Sequence, residues 1–272
     1  MITPNPMRRY RIEKATQMLE NIWKANIKEN LKRVTGRYRS IINIHYGSPA
    51  VVIGAGPSLP KNSYLLTKLK PNTITICCDK AVPNIPITPT YVVALNSEET
   101  DVNKWIAPAS QKSTLILPFS VYPKTGENWQ SDIIWVNLNL PISETEMLKQ
   151  MGYPPLIGGS NTGVFSYLLA VEFGCNPVVL VGMDYSFKTR KEVEQRQDKD
   201  HYLIWEGTDI NGEVRYGTWD WYDSYVAFCE YAEKAYQRRG TITINCTEGG
   251  FLYDNRRIIA MPLKSAIEEK YV

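Results

Sequence analysis

Cysteine, histidine and long apolar runs are the scarce features of this 272-residue sequence, and each scarcity excludes something. No apolar stretch approaches the ~20 residues that cross a bilayer as a helix, so no membrane span is expected. The five cysteines, Cys77, Cys78, Cys175, Cys229 and Cys246, form no CxxC pair and show no zinc-type spacing. Their odd number, with no signal peptide in view, leads us to expect a reducing, cytoplasmic compartment. Histidine occurs only as His45 and His201. Internal repeats and low-complexity tracts are absent. So are the Walker GK[ST] signature and the dinucleotide GxGxxG signature.

Charge of one sign is also lacking overall. The net charge is +3, which excludes a general polyanion binder, and no nucleic-acid partner is expected. The distribution is uneven: residues 1–50 carry ten Lys/Arg and three Glu, a net of +7, leaving −4 for the remainder. That basic segment reads either as a solvated helix face or as a peripheral contact with a membrane surface or acidic partner.

Apolar content of 43% and charged content of 22% are those of an ordinary globular chain. Residues 7–36 read as a helix, with Met18, Leu19, Ile22, Trp23, Ile27 and Leu31 at helical spacing and Gly36 placed to close it. It precedes the first strand, so residues 1–48 are expected to form an N-terminal helical extension, a packing element or a dimer helix. Residues 49–272 then form one Rossmann-like domain. Short apolar runs at 49–53, 73–78, 91–95, 113–117, 133–136, 177–181 and 241–245 read as strands. Helices are expected at 63–69, 162–173 and 221–239. Strands and helices that alternate in this way predict an α/β fold with a mostly parallel sheet covered on both faces. The polar, aromatic stretch 185–220 reads as a mobile lid or binding loop.

Ligands of such sheets sit beyond the carboxyl ends of the strands. Ser58, Asp79, Asn96 and Asp184 end strands and become candidates. The turn Gly54-Ala55-Gly56-Pro57-Ser58-Leu59 directly follows the first strand. Its glycines permit a sharp turn and a close approach, and its N–H groups with the Ser58 hydroxyl suit a phosphate. Glycines after a strand also close ordinary turns. Gly158-Gly159-Ser160-Asn161-Thr162-Gly163 opens a helix, where Ser160 or Asn161 caps the N-terminus and the first N–H groups suit an anion. Small residues for helix packing are the alternative there. Asp184 suits a ribose, a metal, a substrate amine or a structural cap. His45 reads as structural. His201 reads as a general base or a surface histidine. Thr247 and Glu248 end the last strand, at a substrate edge or in a tight turn.

Taken together, Val51-Val52-Ile53-Gly54-Ala55-Gly56-Pro57-Ser58-Leu59, the segment from Gly159-Ser160 through Ala170, Leu180-Val181-Gly182-Met183-Asp184 and Asn245-Cys246-Thr247-Glu248-Gly249-Gly250 resemble one superfamily. It contains the 6-hydroxymethylpterin diphosphokinase (MptE-like) proteins and the Maf flagellin glycosyltransferases. Bacterial CMP-sialic acid sialyltransferases are similar in architecture. The resemblance spans about residues 50–265.

The family's pterin kinases carry an Asp-Leu-Asp-Gly-type motif after the third strand for Mg²⁺ with ATP. Here that place reads Ala94-Leu95-Asn96-Ser97-Glu98-Glu99, so only Glu98 and Glu99 stand in for it. The sialyltransferases use a Ser-His-Tyr segment and strand-end asparagines without a metal. Asp200-His201-Tyr202 and Asn96 match that pattern. The resemblance therefore implies a glycosyltransferase with a CMP-activated donor, a glycan or protein acceptor and no required cofactor. It implies His201 as base, Tyr153 or Tyr202 on the departing phosphate, and Gly54, Gly56, Pro57, Ser58, Asp79, Asn96, Gly159, Ser160, Asn161, Thr162 and Asp184 around the nucleotide. Trp205, Trp219, Thr247 and Glu248 would meet the substrate. The alternatives it leaves are a Mg²⁺-ATP pterin diphosphokinase and a non-catalytic nucleotide-binding protein. A homo-oligomer is compatible with all three.

Overall fold

The structure is a computed structural model; it describes residues 6–34, 40–196, 204–252 and 257–272. A long helix, α1 (Pro6–Leu31), comes first. Strand β1 (Ala50–Ile53) follows, then a short α2 (Leu59–Asn62) running into a 3₁₀ turn, and β2 (Ile74–Cys78). Next come β3 (Tyr91–Val93), α3 (Val102–Ile106), β4 (Thr114–Pro118), β5 (Ile133–Leu138), α4 (Ser143–Gln150) and β6 (Pro155–Leu156). Helix α5 (Thr162–Glu172) leads to β7 (Val178–Val181), α6 (Arg190–Arg196), and the hairpin β8 (Ile204–Thr208) and β9 (Val214–Thr218). The chain continues through α7 (Trp219–Arg239), β10 (Thr243–Asn245), β11 (Ile258–Ala260) and α8 (Leu263–Glu268).

Nine strands form one sheet in the order β11-β10-β7-β1-β2-β3-β4-β5-β6, and its neighbouring strands run parallel. Side chains alternate across it with period two. Val51, Ile53, Cys77, Val92, Leu115, Val179 and Val181 face one apolar layer, with Leu59, Leu66, Val82 and Ile106. Ala50, Val52, Ile76, Val93, Ile116, Val178 and Leu180 face the other, with Phe165, Leu169, Phe173 and Phe228. Two covered faces explain why these strands read as continuous apolar runs. The order reverses at β1, which lies between β7 and β2, so a crevice opens there beyond the carboxyl ends.

Several expectations are corrected. Helix α1 ends at Leu31, and Gly36 lies outside the described residues. Met18 is exposed, while Asn26 and Asn30, polar and one turn apart, are buried. Asn26 Nδ2 donates to the carbonyls of Ser97 and Ser120, and Asn30 Nδ2 to those of Phe119 and Val121. Trp23 Nε1 donates to Ser97 Oγ. The helix is thus bound to the loops after β3 and β4 by amide hydrogen bonds, which an apolar periodicity does not register. The stretch 185–220 holds α6 and an antiparallel hairpin. Its turn is fixed by Asp209 Oδ1, which accepts the Asn211 and Glu213 N–H groups, and by the buried pair of Asp209 with Arg215 at 2.6 Å.

Candidate functional site

The floor of the site is where the turns after β1 and β7 meet. A Cβ on Gly54 would lie 2.4 Å from the Gly182 carbonyl oxygen, and one on Gly56 only 1.9 Å from Asp184 Oδ2. Gly182 itself has φ +66° and faces Gly54 O. These glycines are required by the close approach of two neighbouring turns. Asp184 locks them together: Ser58 donates its N–H to Oδ1 at 3.1 Å and its hydroxyl to Oδ2 at 2.7 Å. The Gly54 and Gly56 N–H groups donate to the carbonyls of Val181 and Gly182, and the Leu59 N–H to that of Gly56. Most donors expected to cradle a phosphate are therefore taken within the fold. Burial pushes the Asp184 carboxyl up to about 6, against the opposing pull of the Ser58 hydrogen bonds.

Helix α5 supplies the opposite wall. Asn161 caps it, Oδ1 accepting the Val164 N–H at 3.0 Å, and Thr162 and Gly163 of its first turn, where helix N–H groups lack intrahelical partners, line the crevice. Gly159 has φ +66° with Val164 packed against it. Met183 joins the two glycine clusters: its Sδ lies 2.5 Å from a Cβ built on Gly163 and 3.0 Å from one on Gly54. A cleft of about 420 Å³ results, lined by Gly54 to Pro57, Asp79 and Lys80, Ser160 to Gly163, Gly182 to Phe187, and Asp220, Trp221 and Ser224 of α7. Asp79 is buried at the end of β2; its Oδ1 accepts the Lys80 N–H at 2.8 Å, and burial raises its carboxyl above the usual range.

A second cleft of about 810 Å³ adjoins the first. Both are lined by Ser160, Asn161, Thr162, Asp220 and Ser224, so the α5 N-terminus stands at their junction. Thr16, Leu19 and Trp23 of α1 form one wall of the second cleft, and Asn96, Asn139 and Ile157 lie on others.

The remaining sequence candidates fall as follows. Asn96 lines the second cleft, its Nδ2 donating to Thr100 Oγ1. Glu98 and Glu99 are exposed and line neither cleft. Tyr153 is buried edge-on against Phe119, away from both cleft linings, and burial raises its hydroxyl pKa. Trp205 packs on Phe251 and Tyr222, and Trp219 on Tyr222, outside both linings. Thr247 Oγ1 accepts the Met183 N–H, and Glu248 Oε1 accepts from Asn62 Nδ2 and from the Leu263 N–H that opens α8. His201 and Tyr202 lie outside the described residues. Trp221, like Trp205 and Trp219 a candidate for stacking on an acceptor sugar, lines the smaller cleft, whereas Asp220 and Ser224 are lining residues that sequence reasoning missed. The signal was available in the Thr218 cap, whose Oγ1 accepts the Trp221 N–H and places the first turn of α7 at the sheet edge.

The profile of the family described as 6-hydroxymethylpterin diphosphokinase MptE-like matches residues 18–190, well over half of the chain. The chain belongs to this family. No curated protein matches the MptE-like chain in sequence. Among solved structures it is similar to a Maf glycosyltransferase from Magnetospirillum magneticum AMB-1, with TM-score 0.62 and 17% identity over 87% of this chain and 38% of that one. The MptE-like chain thus spans well under half of the Maf protein's length. A sialyltransferase CST-II structure in complex with CMP gives TM-score 0.38 and 13% identity over 82% of this chain and 97% of that one. The Maf likeness shows the fold: an α/β, Rossmann-like sheet shared with a glycosyltransferase.

Proposed function

We propose that the chain is a nucleotide-dependent transferase that moves a sugar from a nucleotide-activated donor to a hydroxyl acceptor. The observation that carries this reading is the α5 N-terminus at the junction of two clefts. A donor whose nucleoside lies in the smaller cleft would present its phosphate to the Thr162 and Gly163 N–H groups, where the helix dipole favours negative charge. The acceptor would enter along the larger cleft. His201 would take the acceptor hydroxyl proton as that oxygen attacks the anomeric carbon, and the nucleotide would leave with its phosphate charge held at the helix terminus. Tyr202 would donate to the departing phosphate. The glycosyltransferase fold of the Maf structure supports the reading, and the Asp200-His201-Tyr202 segment directs it to a CMP-activated donor with a glycan or protein acceptor.

The test is release of CMP from a CMP-activated sialic acid in the presence of EDTA. Turnover by the wild type and its loss in His201→Ala, with CMP binding kept, is the expected result. Equal turnover in His201→Ala removes His201 as the base.

The family description and the carboxylates of Asp79, Asp184 and Asp220 in the smaller cleft favour a second reading, a diphosphokinase acting with Mg²⁺ and ATP. Among the described residues no three carboxylate, thiol or imidazole groups converge as a metal-ligand set, so Mg²⁺ would have to be held by one or two of these carboxylates together with the phosphates of ATP. ATP-dependent transfer abolished by EDTA is the result that selects this reading.

A further inference from the structure

The tryptophans that the sequence offers for stacking on a sugar are engaged inside the protein. Trp205 lies against Phe251 and Tyr222, with ring centroids 4.1 and 4.8 Å apart. Trp219 lies against Tyr222 at 5.3 Å, and Trp221 against Phe187 at 4.7 Å. Trp23 of α1 differs. It lines the larger cleft and is half-buried, and among the described residues no aromatic ring packs on it. Its Nε1 donates to Ser97 Oγ at 2.9 Å, which orients the ring and uses its one polar group. What Trp23 has left to offer a ligand is apolar ring surface. One turn on, Asn26 ties the same helix to the Ser97 and Ser120 carbonyls, so the ring is held in place before a ligand arrives.

The larger cleft is a groove between two helices. Thr16, Leu19 and Trp23 follow one face of α1, and Asp220, Ser224, Ala227 and Tyr231 follow one face of α7. Between them the segments after β3 and β5 bring Asn96 and Asn139. Apolar ring surface beside amides matches a pyranose. One face of such a sugar presents C–H groups that lie flat on a π-system, and its rim presents hydroxyls that both donate and accept. A side-chain amide serves both roles. Among the described lining residues there is no Lys, Arg or His, so the groove holds no counter-charge for a carboxylate or phosphate on the sugar.

We infer that Trp23 is the platform on which the acceptor stacks, and that the acceptor of the larger cleft is an uncharged glycan. The inference rests on the transferase reading and names the acceptor class that this reading left open. It gives α1, which lies outside the sheet, a part in specificity. Loss of one stacked ring should weaken sugar binding about tenfold.

The experiment is saturation-transfer NMR of the full chain with lactose, N,N′-diacetylchitobiose and mannobiose as neutral probes. The acidic probe is 3′-sialyllactose, and a Ser/Thr-containing hexapeptide stands for a protein acceptor. Saturation is expected to reach the ring protons of at least one neutral sugar, with the acidic sugar and the peptide weaker. Trp23→Phe keeps a ring and should keep binding. Trp23→Leu keeps apolar bulk without the ring and should bind about tenfold more weakly, with circular dichroism verifying its fold and the melting shift with CMP unchanged. Equal sugar affinity in a folded Trp23→Leu variant overturns the platform. Contact with none of the neutral sugars, or with the hexapeptide in their place, overturns the acceptor class, and equal binding of 3′-sialyllactose overturns its lack of charge. Nucleotide binding without sugar contact overturns this inference and leaves the nucleotide site standing. Ring-dependent sugar contact in a chain that binds no nucleotide upholds the platform and overturns the transferase reading.

Discussion

Asp184 Oδ2 accepts the Ser58 hydroxyl at 2.7 Å while its Oδ1 accepts the Ser58 N–H at 3.1 Å, so one carboxylate from the turn after β7 fastens the turn after β1. This pair organises the floor of the smaller cleft, and its ionisation has a sign that is measurable. Burial raises the Asp184 carboxyl from 3.8 to about 6. The folded state therefore binds this proton more tightly than the unfolded chain. The stabilising contribution is complete below about pH 4 and is lost as pH rises through about 6. Two pKa units correspond to about 3 kcal/mol. Asp184→Asn keeps an acceptor for the Ser58 N–H and has no proton to lose. Urea unfolding between pH 4 and 7.5 should show the variant gaining stability relative to the wild type as pH rises. A constant difference across that range contradicts the assignment.

Gly56→Ala should be among the most damaging single-methyl additions in the chain. Its Cβ would sit 1.9 Å from Asp184 Oδ2 and 2.6 Å from Gly182 O, so the turn, the carboxylate or β7 must shift. A loss of about 3 kcal/mol is expected. At Gly158 the nearest atom to an added Cβ is Leu138 Cδ1 at 3.4 Å, and Ala there should change the melting temperature little. Similar melting shifts for the two variants would contradict the packing argument.

The anchoring of α1 is testable at Asn30. Its amide satisfies the carbonyls of Phe119 and Val121, and the residue is fully buried. Asn30→Ala leaves two carbonyls without that donor, and about 2 kcal/mol of stability should be lost. Because Trp23 and Leu19 of the same helix line the larger cleft, acceptor-dependent turnover should fall more than nucleotide binding. Unchanged stability in denaturant unfolding would contradict the anchoring role.

Glu248 separates a structural role from a substrate role. Its carboxylate joins Asn62 to the start of α8. Glu248→Ala should lower stability by about 1–2 kcal/mol, with nucleotide affinity in calorimetry unchanged in the variant that remains folded. A weakened affinity with full stability would return Glu248 to the substrate edge.

The sheet was legible because its strands are buried on both faces: Ala50 to Ile53 and Val178 to Val181 admit no polar residue and read as runs. The carboxyl-edge crevice followed from that, and with it Gly54, Gly56, Asp79, Asn161 and Asp184 as cleft residues. Their division of labour was not legible. Gly56 and Ser58 look the same in sequence whether their neighbours are a phosphate or the side chain of Asp184, because the contact spans 126 residues of chain. The hairpin of β8 and β9 escaped a reading by apolar runs, since no residue of β8 is buried and both strands mix polar residues and glycine with apolar ones. Asn211-Gly212 was its local signal. Helix α1 was read by its apolar residues, yet the amides of Asn26 and Asn30 hold it.

The central claim is that the crevice between β1, β2 and α5 holds a nucleotide whose phosphate lies on the α5 terminus. It is tested most directly by melting the wild type with CMP in EDTA and with ATP in Mg²⁺. A ligand of the folded state raises the melting temperature by mass action. The account predicts a rise with CMP without metal, diminished in Asn161→Ala, whose cap shapes that terminus. A rise confined to ATP with Mg²⁺ would contradict sugar transfer and select the diphosphokinase, and no rise with any nucleotide would contradict the site itself.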